Sequence, residues 1–227
     1  MTNQEFSNEF DILYNNIASN QAPGLDEYEK SVFLTDAQDA LVLELITGKN
    51  LTGDSFEKTE EIRQYLTNIT KTAVLTKSQD TEIHKISNKS VLYDTPSDLW
   101  IPTYESVTFD DSTLCCNPEH IAVLPVTQDE FTRIIKNPFK KASKNRVLRL
   151  DIANKIELVS EYNIKEYTIR YIKRLSPIVL EDLPEGLSIK GKNKKTECEL
   201  NPALHEAILG RAVQMAKASM GLIESGR

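Results

Sequence analysis

The amino-acid sequence predicts an α+β protein with N-terminal helices, a central antiparallel β region with long loops, and a C-terminal helix. Three observations predict this class. Apolar residues recur at helical spacing in the first third of the chain, and β-branched or aromatic residues alternate with polar ones in its second half. A helix start signal, Asn followed by Pro, then opens a last amphipathic stretch at residue 201.

The first third is predicted to contain three helices. In residues 3–17, Phe6, Phe10, Leu13 and Ile17 are spaced by four, three and four positions, which places them on one face of an amphipathic helix. An Ala-Pro-Gly sequence then ends this helix, because proline and glycine interrupt helical structure.

The second helix is predicted from Thr35 and Gln38, which we interpret as a capping box that satisfies free amides at a helix start. Gly48 suits its C-terminal cap, where glycine readily adopts the left-handed conformation. Its predicted buried residues are Leu41, Val42 and Leu45. A third helix is predicted over residues 55–70, with its inward face formed by Phe56, Ile62, Leu66 and Ile69.

Residues 73–126 are predicted to be a strand and loop insertion. Short apolar runs alternate here with breakers, and prolines stand at positions 96, 102, 118 and 125. Because proline lacks the amide that a sheet ladder requires, we expect no central strand to cross those positions. A long projecting loop is one interpretation of this region.

Residues 127–200 are predicted to form an antiparallel β region with basic loops. A short helix over residues 127–135 ends before Asn137 and Pro138. Strands follow at 146–150, 155–159 and 166–172, where the last alternates apolar with polar side chains. The predicted segments are therefore 1–72, 73–126, 127–200 and 201–227.

The C-terminal helix, predicted over residues 201–227, has two different sides. Its candidate packing residues are Leu204, Ile208, Val213 and Met220. Small residues occupy the other side, at Ala203, Ala207, Gly210 and Ala218. Since small residues permit close helix approach, we expect this helix to pack on two sides, one of them against the N-terminal helices.

Charge is unevenly distributed along the chain, whose net charge is −7. Residues 1–135 contain 9 Lys/Arg and 23 Asp/Glu, a net of −14, whereas residues 136–195 contain 15 and 7, a net of +8. Complementary charged patches can steer self-association and fix its register. The alternative is that both regions are simply solvated faces.

No enzyme class is indicated by the sequence. The phosphate-binding, dinucleotide-binding, nucleophile-elbow and HExxH motifs are absent, and adjacent Cys115 and Cys116 with a distant Cys198 offer no zinc-finger spacing. A hydrolase that uses His120 with either adjacent cysteine is the weakest of our hypotheses. We predict no catalytic residues, no metal and no cofactor, and we expect neither export nor membrane insertion, since no signal-peptide pattern or long apolar run is present.

Two clusters of cations are the clearest local signals for binding. Residues 136–149 contain six cations and no acidic residue, with Phe139 among them, and a second cluster surrounds Gly191. The candidate interface or DNA-contact residues are Lys136, Lys140, Lys141, Lys144, Arg146, Arg149, Lys190, Lys192, Lys194 and Lys195. Since no recognition-helix signature accompanies them, they favour nonspecific phosphate contact or an acidic partner.

Several segments resemble virion proteins of tailed phages. Residues 24–42, GLDEYEKSVFLTDAQDALV, resemble the N-terminal helical segment of such proteins. NPFKKASKNRVLRLD at 137–151, EYTIRYIKRLSPIVLEDL at 166–183 and CELNPALHEAILGRAVQMAKASM at 198–220 resemble the C-terminal part of virion proteins in crAss-like phages. Residues 73–125 carry no such resemblance.

This resemblance implies a head-to-tail connector, or neck, ring protein adjacent to the portal. The implied role is structural: a dodecameric ring that joins the portal to the tail, contacts the portal protein and neighbouring ring proteins, and helps to conduct the genome. The implied location is the virion, after assembly in the bacterial host cytoplasm. The alternative from the residues themselves is a nonspecific DNA-binding accessory protein that uses the basic loops.

Overall fold

The computed structural model describes residues 1–15, 24–48, 60–79, 83–114, 116 and 118–220. The chain divides into two compact units. The helical unit comprises residues 1–69 and 175–227, and the sheet unit comprises residues 70–174. Helices at both ends of the chain and a central sheet confirm the predicted α+β class.

The described helices are α1 (Asn3–Asn15), α2 (Glu27–Thr47), α3 (Glu60–Leu66), α4 (Gln128–Lys136) and α5 (His205–Ser219), with 3-10 turns at Thr67–Ile69 and Pro202–Leu204. The strands are β1 (Thr70–Val74), β2 (Ser90–Asp94), β3 (Leu99–Phe109), β4 (Ile121–Pro125), β5 (Arg146–Ile152), β6 (Lys155–Val159) and β7 (Ile164–Lys173). The four-segment division stays a prediction. The compact units divide the chain differently, because strands from 73–126 and from 127–200 share one sheet.

Helix α1 buries only part of the predicted face, since Phe6 and Phe10 are buried but Leu13 is not. Phe6, Phe10 and Tyr14 are buried, each one full helical step of four residues from the last, whereas Leu13 is exposed. Ile17 lies outside the described residues. A strict four-residue step keeps the side chains on one edge of the helix, and Leu13 falls beyond that edge.

Helix α2 begins nine residues before the predicted capping box. Asp26 is its N-cap, and the capping box is formed by Asp26 and Glu29. The prediction that Thr35 and Gln38 start a helix is therefore wrong, since both lie in the middle of α2 and are buried. The predicted C-cap is confirmed: Gly48 has φ +71°, and its amide bonds to the Glu44 carbonyl.

The last two helical predictions are partly confirmed. Ile62, Leu66 and Ile69 are buried, but α3 ends earlier than predicted, at Leu66, because a 3-10 turn follows and Thr70 starts β1. Residues 55–59, with Phe56, lie outside the described residues. At the C-terminal helix, Asn201 accepts a hydrogen bond from the Ala203 amide and Pro202 is the first residue of the turn that leads into α5. Helix α5 packs against α2 and α1.

The sheet unit contains a seven-stranded mixed sheet with the order β1-β7-β3-β4-β5-β6-β2. All neighbouring pairs are antiparallel except β4 and β5, which are parallel. The central β region is antiparallel as predicted, except at this one pair. Parallel neighbours need a crossover connection, and residues 126–145, which include α4, provide it.

The two edges of this sheet are joined by the chain itself. The Leu75 amide bonds to Tyr167 of β7, and three residues later the Ser78 amide bonds to Leu92 of β2. A further bridge joins Lys77 to Tyr93. The sheet therefore curls around an apolar interior lined by Leu75, Tyr93, Val107, Phe109, Ile121, Val147, Ile156, Leu158, Ile164, Tyr167, Ile169 and Tyr171.

Strand β3 crosses Pro102, contrary to prediction. On one side β3 pairs with β7 along its length, with a register shift between Pro102 and Tyr104. On the other side it pairs with β4 only at Ser106 and Val107. Pro102 therefore stands where β3 has a neighbour on one side, which is where a sheet tolerates proline.

Helix α4 covers part of the outer face of the sheet. Phe131 of α4 packs on Leu148 and Leu150 of β5 and on Val159 of β6. The first basic cluster begins where this helix ends. Lys136 is the last residue of α4, and Asn137 is its C-cap.

Candidate assembly surfaces

The first basic cluster forms an ordered turn, which we call the basic loop (residues 136–146). The Asn137 side chain accepts a hydrogen bond from the Phe139 amide at 2.9 Å, and the Asn137 carbonyl accepts one from the Lys141 amide at 3.0 Å. The Arg146 guanidinium donates to the Phe139 carbonyl at 2.8 Å. Asx turns of this kind fix local backbone geometry.

Phe139 stands at the centre of the basic loop and points into solvent. It is 88% exposed. Lys136, Lys140 and Lys144 are exposed around it, and their side chains have no ion pair or hydrogen bond with the described residues. The loop thus presents one rigidly held aromatic ring among three ammonium groups.

Two other cations of this cluster are engaged within the sheet unit. Lys141 pairs with Glu161 at 3.0 Å on the surface. Arg149 is absent from the loop surface, because its side chain is only 10% exposed and pairs with Glu105 at 2.6 Å. The alternation of β5 turns Arg149 toward the inside of the curled sheet, whereas Leu148 and Leu150 face α4.

Arg149, Glu105 and Tyr167 form a buried polar network. The Tyr167 hydroxyl donates to Glu105 at 2.7 Å, and Asp151 accepts from Arg149 at 3.1 Å. Burial and the adjacent Glu105 carboxylate raise the pKa of Tyr167. Burial by itself would lower the pKa of Arg149, but the charge and hydrogen bond of Glu105 and the charge of Asp151 together outweigh burial, so that pKa is raised. Both residues therefore keep their protons at all ordinary pH values.

The second basic cluster forms a tight hairpin in the helical unit. Ile189 and Lys192 exchange two backbone hydrogen bonds, and the residues between them have positive φ angles, +47° at Lys190 and +81° at Gly191. That combination is a type I′ turn. Lys190 pairs with Asp39 of α2 at 2.5 Å, and Lys192 donates to Ser176 at 2.9 Å. Lys194 and Lys195 remain exposed.

Buried polar side chains of α2 hold the segment that carries this hairpin. Ser31 accepts from the Leu180 amide at 3.0 Å, Thr35 accepts from the Ile178 amide at 3.1 Å, and Gln38 donates to the Ser176 carbonyl at 3.1 Å. The sequence analysis missed this role. Its only signal was the spacing of four and three residues, which puts three polar side chains on one helix face.

The C-terminal helix buries three of its four candidate packing residues. Leu204, Ile208 and Val213 are buried in the helical unit, whereas Met220 is 37% exposed at the helix end. On its other side, α5 and α2 form a groove of about 660 Å³, which we call the α2/α5 groove. It is lined by Leu41, Glu44, Ala207, Gly210, Arg211, Gln214, Met215 and Ala218. Arg211 pairs with Glu44 at 2.6 Å.

The residues proposed for hydrolytic chemistry do not form a described site. Cys115 lies outside the described residues, and Cys116 is exposed. Within the described ranges, no three His, Cys, Asp or Glu side chains stand close enough together to bind a metal ion. A cleft of about 700 Å³ in the sheet unit contains Trp100 and Arg174, but its other charged side chains are already paired, Arg149 with Asp151 at 3.1 Å and Lys155 with Asp94 at 2.9 Å.

Comparison with known proteins identifies the family. A family model described as phage tail ring protein 3/4 matches residues 1–226. The chain belongs to this family. It is 48% identical over 219 residues to "Ring protein 3" of Bacteroides phage crAss001, with 95% of each chain covered. It is 34% identical to "Ring protein 4/5" of the same phage, over 96% of this chain and 93% of the relative.

Membership makes this chain a structural ring protein of a crAss-like phage and a component of the virion. The predicted resemblance to ring proteins of such phages is confirmed, and it extends across residues 73–125, where the sequence alone carried no resemblance. None of the helices in the described part of the chain has the length and apolar character needed to cross a membrane.

Proposed function

We propose that this protein forms a homomeric ring in the connector between the portal and the tail and helps to conduct the genome. The observation that carries the proposal is the match of nearly the whole chain to phage ring proteins, including 48% identity to "Ring protein 3". We propose a dodecamer, because a ring of twelve copies matches the symmetry of the twelve-fold portal on which it is stacked. Its axial partners are the portal protein or neighbouring ring proteins, and its role is architectural rather than catalytic.

The charge of the two units supports a ring built from unlike faces. The helical unit contains 11 Lys/Arg and 20 Asp/Glu, a net of −9, and the sheet unit contains 16 and 14, a net of +2. A ring of identical subunits needs two different complementary surfaces on each copy. An acidic unit and a slightly basic unit with an exposed basic loop meet that requirement.

The test is a symmetry-averaged cryo-EM reconstruction of the portal vertex of the virion. We expect one ring of twelve copies between the portal and the tail, with the central channel wide enough for duplex DNA. A ring of another copy number contradicts the dodecamer. A position away from the connector, or a purified chain that forms only a stable dimer both alone and with its neighbouring ring proteins, contradicts the proposed function itself.

Duplex-binding measurements test the proposal that this ring only guides the genome. Lys141, Arg149, Lys190 and Lys192 are engaged within the chain, which leaves fewer cations for phosphates than the sequence suggested. We therefore expect weak, salt-sensitive binding that changes little when Lys140 and Lys144 are replaced by Ala. Tight duplex binding with a steep salt slope that both replacements reduce would favour the DNA-binding accessory protein instead.

A further inference from the structure

We propose that Phe139 of one copy inserts into the α2/α5 groove of the adjacent copy, with the lysines of the basic loop facing the acidic α2. This inference rests on the proposed homomeric ring and names the contact that builds it. Three features of the described residues carry it: a rigid exposed aromatic, an unfilled groove, and the charge around each.

The first feature is the way the chain holds Phe139. Single exposed apolar residues are common and need no explanation. This one is unusual because the Asn137 side chain, the Asn137 carbonyl and the Arg146 guanidinium all fix the turn that carries it. A pre-ordered aromatic loses little conformational entropy when it docks, and an aromatic ringed by charged residues is the usual form of an interface anchor.

The second feature is the space above Gly210 in α5. A Cβ atom at this position would meet nothing within 4 Å in the described part of the chain. Glycine inside a helix costs about 1 kcal/mol relative to alanine. Packing among the described residues therefore does not require glycine at position 210. The absence of a side chain there instead leaves space in the α2/α5 groove, whose volume is about 660 Å³.

The groove is chemically suited to an aromatic side chain. Leu41, Met215, Ala207 and Ala218 supply apolar lining beside Gly210. Methionine adapts its shape to neighbours and makes favourable contacts with aromatic rings. Arg211 and Glu44 also line the groove, but they pair with each other. An aromatic ring that enters the groove therefore does not bury an unpaired charge there.

The third feature is charge complementarity, which selects a second copy of this chain as the occupant. Helix α2, which forms one side of the groove, contains five Asp/Glu and one Lys. Glu27, Asp39 and Glu44 pair with cations of the helical unit, and the unit as a whole keeps a net charge of −9. The basic loop contains five cations and no acidic residue. Two basic loops repel each other, as do two acidic helices, so the loop of one copy is expected to meet the groove of another rather than a second loop. A head-to-tail contact between identical copies is the one that generates rings.

Assembly measurements on four variants test this contact. Ring formation is followed by native mass spectrometry over a series of protein concentrations. We expect Phe139→Ala and Gly210→Leu each to raise the concentration needed for half-assembly at least about tenfold, since interface anchors contribute 2 kcal/mol or more. The matched controls, Ile135→Ala at another exposed apolar residue of the sheet unit and Gly210→Ala in the same groove, should assemble as the wild type does.

Thermal unfolding of the single chain separates assembly from folding. Phe139→Ala should leave the Tm unchanged because the side chain is 88% exposed. Gly210→Leu should leave it unchanged or raise it, because leucine is a better helix former than glycine and meets open space. A fall of several degrees in the Tm of Gly210→Leu would show that the groove is filled within one copy, which overturns the inference.

Cysteine cross-linking tests the direction of the contact. Copies with Phe139→Cys are mixed with copies with Ala207→Cys and oxidised in air, both in a background with Cys115→Ser, Cys116→Ser and Cys198→Ser. We expect a disulfide-linked pair in the mixture and none from either variant alone. A linked pair from Phe139→Cys copies alone would indicate a two-fold contact between loops and overturn the inference.

The outcomes separate this inference from the proposed function. If the wild type forms rings while Phe139→Ala assembles normally and the mixed copies do not cross-link, the contact is wrong and the ring stands. If Phe139→Ala abolishes duplex binding but not assembly, the loop is a DNA contact and the inference fails. If the wild type never forms a ring, alone or with neighbouring ring proteins, the proposed function fails with it.

Discussion

The polar stripe of α2 in the helical unit and the interior of the sheet unit bury side chains of different kinds, although the helical unit also buries the charged Lys30, which pairs with Asp11 and Glu27. Helix α2 buries the neutral Ser31, Thr35 and Gln38, and each bonds to a backbone group of the irregular segment that follows β7 in the chain. The sheet interior instead buries the charged pair of Glu105 and Arg149. Neutral side chains can supply the hydrogen bonds that the backbone of an irregular segment does not receive from a neighbouring strand. A buried charge pair adds little net stability, but each charge becomes very unfavourable without the other.

The units can be followed separately, which makes this comparison measurable. Trp100, the single tryptophan of the chain, lies on β3 in the sheet unit. Its fluorescence therefore reports the unfolding of the sheet unit. Most described helical residues belong to the helical unit, so the far-ultraviolet circular dichroism at helical wavelengths reports mainly that unit.

The largest effect is expected when the buried charge pair is broken. Glu105→Gln leaves the Arg149 charge buried with only the more exposed Asp151 beside it. We expect the sheet unit to lose about 3 kcal/mol of unfolding free energy, since removal of one partner of a buried pair typically costs about 3–5 kcal/mol. The measurement is urea unfolding followed by Trp100 fluorescence.

Glu161→Gln is the matched control for this variant. Glu161 pairs with Lys141 on the surface of the same unit, where both side chains are about one-third or more exposed. Its loss should cost less than about 1 kcal/mol. Equal losses of unfolding free energy in the two variants would mean that breaking the Glu105 pair destabilises the unit no more than breaking a surface pair.

A smaller effect is expected in the helical unit. Thr35→Val keeps the shape of the side chain but leaves the buried Ile178 amide without its acceptor. An unsatisfied buried donor costs about 1–3 kcal/mol. The loss should appear in circular dichroism during urea unfolding.

Thr47→Val provides the comparison for Thr35→Val. The Thr47 hydroxyl bonds to the Leu43 carbonyl on an exposed part of α2. Its replacement should change stability by less than about 0.5 kcal/mol. A Thr35→Val variant as stable as Thr47→Val would show that the buried stripe of α2 does not hold the following segment.

The smallest effect is expected from alkaline pH. Burial raises the pKa of Tyr93, inside the curled sheet, to about 12. The unfolded chain releases this proton near pH 10, so the stability contributed by the neutral hydroxyl is complete below pH 10 and is lost as pH rises toward 12. By pH 11 the loss is about 1 kcal/mol. Tyr93→Phe should show a correspondingly smaller fall in urea midpoint between pH 9 and pH 11, and an unchanged fall would contradict burial as the cause.

Local signals predicted the ends of helices and the faces of strands. Gly48 and the Asn201-Pro202 pair were placed correctly because caps depend on a few adjacent residues. Tyr167, Ile169 and Tyr171 were placed correctly because alternation is a property of a single strand. Thr35 and Gln38 were misplaced because their spacing fits a capping box as well as a buried face, and only the segment that packs on α2 distinguishes the two.

The candidate surfaces were predicted less well than the fold class. Five of the ten candidate cations are engaged within the chain. Arg146 bonds to the nearby Phe139 carbonyl, whereas the partners of the other four, Glu161, Glu105, Asp39 and Ser176, are distant in sequence. Counting charge along the chain also joined two clusters that belong to different units. The exposed Phe139 was noted in the sequence, but the turn that holds it became visible only with its hydrogen bonds.

By itself the sequence determined the α+β class, the caps at Gly48 and Asn201, the alternation of β7 and the resemblance to ring proteins of tailed phages. These depend on neighbouring residues or on recognisable segments of the chain. Tertiary structure decided the parallel pairing of β4 with β5, the passage of β3 through Pro102, the burial of Arg149 and the open groove beside Gly210. Each of these depends on which distant segment lies alongside, because hydrogen-bond partners, burial and open space are properties of packing rather than of local sequence.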